Sequence, residues 1–160
     1  MKNDSRIKPD MEHTYDRAAW MGVLAQAPLS DLERHWGSMS HPNFQWVRRP
    51  ESGAIMLRGS VGKAGTTFNV GEATVTRCAL QIETGEIGVA YVLGRSKRHA
   101  ALAALFDGLM QQEQKNGCDA ISSIIAGLER DSEEAARETL KDTYKTKVDF
   151  FMYGAEGGDK

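Results

Sequence analysis

Apolar residues fall at helical spacing at both ends of the chain and at alternate positions in the middle. Within residues 11–27, MEHTYDRAAWMGVLAQA, Trp20, Val23, Leu24 and Ala27 lie at i, i+3, i+4 and i+7, one stripe of an amphipathic helix. Pro28 ends it, because proline disfavours helical geometry in the residue before it. Ser30 and Glu33 in SDLE have capping-box spacing and predict a second, short helix reaching Gly37. From residue 43 the period becomes two. NFQWVRR (43–49) sets Phe44, Trp46 and Arg48 against Gln45, Val47 and Arg49. RPESG (49–53) reads as a turn and AIMLRG (54–59) as a second strand. Residues 59–72 read as a loop holding four glycines, and ATVTRCALQIE (73–83) as a β-branched third strand. After the Thr84-Gly85 turn, EIGVAYVLG (86–94) is apolar on both faces and predicts a central strand.

Helical spacing returns at residue 97. Leu102, Leu105, Phe106 and Leu109 form a stripe in 97–115, with Asn116-Gly117 as its C-terminal cap. Asp119 can cap the next helix, in which Ile121, Ile124, Ile125 and Leu128 repeat the spacing; DSEE (131–134) marks a kink or a fresh start. KVDFFMYG (147–154) is apolar and is expected to pack on a surface. The fold class that follows is α+β: an antiparallel four-stranded meander flanked by N-terminal and C-terminal helices. The chain reads as a single domain over residues 1–160, with loose ends at 1–10 and 155–160.

Composition narrows the class. With 160 residues, 41% hydrophobic and 26% charged, the chain can bury an ordinary core. No apolar run approaches the ~20 residues of a membrane span, and the polar start MKNDSRIKPD is no signal peptide. The two cysteines, Cys78 and Cys118, have no zinc-type spacing, so a cytoplasmic protein with free thiols and no metal is expected.

The formal net charge of −2 hides an asymmetry. Residues 43–98 carry eight Lys/Arg against four Asp/Glu, whereas residues 119–160 carry six against ten. The densest basic cluster, Arg95, Lys97, Arg98 and His99, stands in or before the first turn of the 97–115 helix, with Ser96 as N-cap. That helix end is already positive by about half an elementary charge, and each further cation there costs on the order of 0.3–1 kcal/mol. A phosphate, a phosphonate or an acidic protein surface would neutralise it, the plainer alternative being that Arg95, Lys97 and Arg98 are solvated or pair with the acidic C-terminal helix. Lys63 in the glycine-rich loop, which lacks P-loop spacing, is a second candidate donor to an anion. Arg77 sits on a strand otherwise suited to burial and calls for a carboxylate or an anionic ligand, a structural salt bridge being the simpler answer. Cys78 reads as a core thiol. His13, His35, His41 and His99 show no metal spacing, and no nucleophile–base arrangement is recognisable, so the catalytic residues stay unassigned. Aromatics among arginines suggest an RNA-stacking sheet, but no RNP-like motif accompanies them, which argues against a nucleic-acid partner.

Several stretches, RAAWMGVLAQA, RPESGAIMLRG, FNVGEATVTRCAL, GEIGVAYVLGRSKRHAALAALFDGLMQ and KVDFF, resemble the PhnG subunits of the bacterial carbon–phosphorus lyase system across about residues 15–153. Ser96 departs from the family's usual acidic residue and Val89 from its histidine. The resemblance implies a subunit of a two-fold core complex with PhnI, PhnJ and PhnH, associated with PhnL and PhnK-like ATPase subunits. It implies participation in forming alpha-D-ribose 1-methylphosphonate 5-triphosphate, in which methylphosphonate displaces adenine from ATP. PhnI holds the catalytic centre in that picture. ATP and the phosphonate are ligands of the complex, and PhnG carries no cofactor of its own. A purely structural subunit that orders PhnI and PhnJ is the alternative.

Overall fold

The structure is a computed structural model that describes residues 16–60 and 65–145. Helices α1 (Arg17–Gln26) and α2 (Leu29–Gly37) precede three strands, β1 (Phe44–Ser60), β2 (Thr67–Ile82) and β3 (Ile87–Leu93). Helices α3 (Lys97–Asn116) and α4 (Ala120–Lys145) follow. The strands form one antiparallel sheet in the order β1-β2-β3. The α+β class stands, but the sheet has three strands rather than four, and β3, expected as a central strand, is an edge whose Ile87, Tyr91 and Leu93 are exposed on the face away from the helices.

The two strands expected at 43–49 and 54–59 are one. Residues 49–53 do not turn; they continue β1, whose register against β2 shifts between Trp46 and Arg48 and again between Arg48 and Glu51. The second shift falls at Arg49-Pro50. Proline has no N–H to give to a ladder and is tolerated at bulges on edge strands, and β1 is an edge. Likewise residues 67–72, expected as loop, extend β2, because each finds a partner or a bulge position opposite Met56–Ser60. A long two-stranded arm results, exposed on both faces from Glu51 to Arg58 and from Thr66 to Glu72.

The helices cover the other end of the sheet. Even-numbered residues of β2 and β3 face them: Cys78, Leu80, Ile82, Ala90 and Val92 are buried against Leu102, Phe106 and Met110 of α3. Trp20 and Leu24 of α1, Leu32 of α2, and Ile121, Ile125 and Leu128 of α4 complete the core. α3 and β3 approach so closely that a Cβ on Gly88 would lie 1.9 Å from the Ala104 carbonyl oxygen.

Three local expectations fail for identifiable reasons. The Ser30–Glu33 capping box does not form: α2 starts on Pro28 with no side-chain cap, and Glu33 pairs instead with Arg98. Asp119 does not cap α4 through its side chain. Glu113, buried on α3, accepts from the Ile121 and Ser122 amides at 2.6 and 2.8 Å. α4 runs unbroken through 131–134, and its residues from Arg130 to Thr143 are exposed. The loose ends expected at 1–10 and 155–160, and the apolar stretch 147–154, lie outside the described residues. No helix among the described residues is long and apolar enough to cross a membrane.

Candidate functional site

The basic cluster begins where β3 hands over to α3. The Gly94 amide donates to the Thr74 carbonyl at 2.8 Å, and the Thr76 hydroxyl to the Gly94 carbonyl at 2.8 Å, so the strand-to-helix junction is fixed to β2. Ser96 is the N-cap, as its position predicts: its hydroxyl accepts from the His99 amide at 3.2 Å. The first turn holds no acidic residue.

The cations of the cluster then separate into two groups. Arg98 donates to Glu33 on α2 at 3.1 Å, with both side chains about half exposed. The helix start therefore has an internal counter-charge, supplied by α2 rather than by the acidic C-terminal helix. His99 turns inward, and its Nε2 donates to the Leu24 carbonyl at 2.9 Å. A carbonyl can only accept, so Nε2 carries the proton and the ring ties α3 to α1 rather than facing solvent. Arg95 and Lys97 are exposed and form no ion pair among the described residues.

Arg77 stands apart from them. It lies on the face of the sheet away from the helices, opposite Tyr91 on β3 and Glu51 on β1. Its Nε donates to Glu51 Oε1 at 2.9 Å, and Arg48 reaches the same oxygen at 3.0 Å. The hydrogen bond from Arg77, reinforced by the charges of both guanidiniums, lowers the Glu51 pKa. The salt bridge answers for Arg77 without an external anion. Lys63 lies outside the described residues. Cys78 is a core thiol: it donates to the Ala100 carbonyl at 3.0 Å, and burial pushes its pKa up to about 11, far from a nucleophile. No group of His, Cys, Asp and Glu among the described residues could hold a metal ion.

A site the sequence reading missed centres on Asp107, which is fully buried. Its carboxylate accepts from Arg17 Nε and Nη2 at 3.2 and 2.7 Å, Trp20 Nε1 at 2.8 Å, the Val89 amide at 2.8 Å and Gln111 Nε2 at 3.3 Å. Five donors from α1, β3 and α3 satisfy its acceptor capacity, so the cluster fastens three elements together and leaves no lone pair for proton transfer. The available signal was one acid, Asp107, between Phe106 and Gly108 on an inward stripe. The same group closes part of the free edge of β3: Arg17 Nη2 and Gln111 Nε2 both donate to the Ile87 carbonyl, at 3.1 and 2.9 Å.

Around the Arg77–Glu51–Arg48 cluster, the face of the sheet away from the helices exposes apolar side chains that no described residue covers. Ile87, Tyr91 and Leu93 of β3 are 45%, 55% and 70% exposed, and the arm adds Ile55, Leu57, Phe68 and Val70. A protein of this size that leaves so much strand surface bare has the signature of an interaction face.

A family model described as "Phosphonate metabolism protein PhnG" matches residues 15–154. The chain is also 39% identical over 137 residues to a protein of Rhizobium meliloti (strain 1021) named alpha-D-ribose 1-methylphosphonate 5-triphosphate synthase subunit PhnG, covering 84% of this chain and 86% of that one. On the strength of both matches, the chain belongs to the PhnG family of phosphonate metabolism proteins.

Proposed function

We propose that this chain is a subunit of an alpha-D-ribose 1-methylphosphonate 5-triphosphate synthase within a carbon–phosphorus lyase core complex, working in the cytoplasm on ATP and methylphosphonate. The observation that carries the reading is 39% identity, across most of both chains, to a protein named as that synthase's PhnG subunit. Its partners on this reading are PhnI, PhnJ and PhnH, with PhnL and PhnK-like ATPase subunits. The reaction joins methylphosphonate to the ribose and releases adenine. The chain brings no cofactor of its own.

Within that complex the chain acts by presenting surface. Its buried carboxylates Asp107 and Glu113 already have partners, Asp107 in Arg17 and Glu113 in the α4 amides. Its exposed apolar strands and the pair Arg95 and Lys97 are what remain for a neighbour. The test is reconstitution. Omitting this chain stops adenine release from ATP. Replacing Arg95 and Lys97 together by alanine lowers the yield of assembled complex and leaves the KM for ATP of the assembled fraction unchanged. A second reading, direct contact of Arg95 and Lys97 with the triphosphate, rests on their lack of a carboxylate. It predicts the reverse: full assembly and a raised KM.

A further inference from the structure

Among the described residues, the free edge of β3 is closed over one half and open over the other. Gly94 donates to Thr74 and Ile82 to Glu86 across the β2–β3 ladder, so even-numbered residues of this hairpin exchange backbone bonds. In an antiparallel pair the alternate residues then direct their N–H and C=O groups outward. Ile87 and Val89 follow this rule, and the protein's own side chains occupy the Ile87 carbonyl and the Val89 amide. Beyond them, the Val89 carbonyl, both backbone groups of Tyr91 and the Leu93 amide have no partner among the described residues. Beside this open half lies an apolar slot of about 240 Å³ between α1 and β3, lined by Met21, Gly22, Leu24, Ala25, Tyr91 and Ala103. Gly22 sits mid-helix in α1, where a Cβ would meet nothing within 4 Å. Immediately after the open edge come the exposed Arg95 and Lys97 and the positive start of α3.

We infer that the Val89–Leu93 edge receives an extended segment of another synthase subunit as a fourth strand. That segment sets an apolar side chain into the slot beside Gly22 and an acidic residue against Arg95 and Lys97. Strand addition satisfies the outward backbone groups, which is how edge-binding modules gain affinity, while alternate side chains give specificity. The charge of the segment follows from complementarity, because a carboxylate in front of α3 meets both cations and the helix dipole. The inference rests on the proposed synthase role and names the contact through which that role is exercised.

The subunit co-expressed with the other synthase subunits provides the test. Tyr91→Pro removes one outward amide and leaves the β2 ladder intact, a change edge strands tolerate; Tyr91→Val keeps the amide. Expected results are at least a tenfold loss of assembly for Tyr91→Pro and less than threefold for Tyr91→Val. Gly22→Leu, which fills the slot, also weakens assembly at least tenfold. Hydrogen exchange keeps the question decidable if Tyr91→Pro fails to fold: the wild-type Tyr91 and Leu93 amides exchange freely in the isolated subunit and become protected in the complex. Wild-type assembly by Tyr91→Pro, or unchanged exchange of those amides in the complex, overturns the inference. So does protection already present in the isolated subunit, which would assign the edge to a second copy or to this chain's own residues. Loss of the synthase role is a separate result, read as adenine release that persists when the chain is omitted.

Discussion

Gly88→Ala tests the packing of the fold most directly. Gly88 lies at the buried face of β3, where α3 crosses the sheet. An added Cβ would stand 1.9 Å from the Ala104 carbonyl oxygen and 2.8 Å from the Gly108 amide nitrogen. Ordinary contact begins near 3.4 Å, so one element must withdraw by about 1.5 Å, and both obstacles are helix backbone, which cannot rotate aside. Withdrawing α3 opens a gap over Leu80, Ile82, Ala90 and Val92, and a gap of even 0.5–1 Å forfeits roughly a quarter to a half of each contact's attraction. It also stretches the 2.8 Å bond from the Val89 amide to Asp107, one residue from the substitution. Overpacking alone costs about 1–3 kcal/mol, and weakening a buried charge-assisted bond adds about 1.5–3 kcal/mol. A total of about 2.5–6 kcal/mol lowers Tm by roughly 5–24 °C for a chain of this length. Thermal unfolding of the isolated subunit followed by circular dichroism measures it, with Gly71→Ala as the control, because a Cβ there meets nothing within 4 Å. A Gly88→Ala protein melting within 2 °C of wild type would refute the reasoning.

Other outcomes follow from individual groups. Arg17→Met leaves the buried Asp107 carboxylate without its cation and destabilises by about 3–5 kcal/mol. Arg98→Ala breaks an exposed pair and changes stability by about 1 kcal/mol at most; denaturant titration of the two variants gives the ranking, and equal losses would contradict it. The Lys115 hydrogen bond, helped by Thr84, lowers Glu86 from its ordinary value of 4.5 to about 2. A depressed carboxylate stabilises the fold above its unfolded pKa and loses that contribution as pH falls toward its folded pKa. Stability of the wild type therefore drops between pH 4.5 and 2, and Glu86→Gln flattens the drop in a pH series of unfolding midpoints. Thiol labelling of the native protein modifies exposed Cys118 promptly, while Cys78, buried and hydrogen-bonded to Ala100, reacts only on unfolding; two prompt equivalents would contradict its core position.

The candidate cluster was legible in part. Ser96 as cap and the basic turn behind it are written in consecutive residues, and they stand where spacing put them. What each cation meets was not legible. Glu33 is 65 positions from Arg98 and was assigned to a capping box with Ser30, a local solution that competes with a distant partner the sequence does not reveal. Arg77 and Glu51 meet only because β1 runs straight through Pro50 and brings its register against β2. Asp107 stands in the sequence as a lone acid beside the apolar stripe of α3, with nothing nearby to mark it. Its role depends on Arg17, 90 positions away, and on an edge amide of β3.

By itself the sequence determined the α+β class and the four helices, because these depend on periodicity and local caps within a few residues, whereas the central place expected for the apolar 86–94 strand went to β2. The sequence also carried the family resemblance. The tertiary structure decided that four expected strands are three, that Glu113 rather than Asp119 caps α4, and that no described residue closes half of the β3 edge. Those outcomes belong to pairings between remote segments. A bulge at Pro50 and a carboxylate reaching across helices gain their stability from partners that only the folded chain brings within bonding distance.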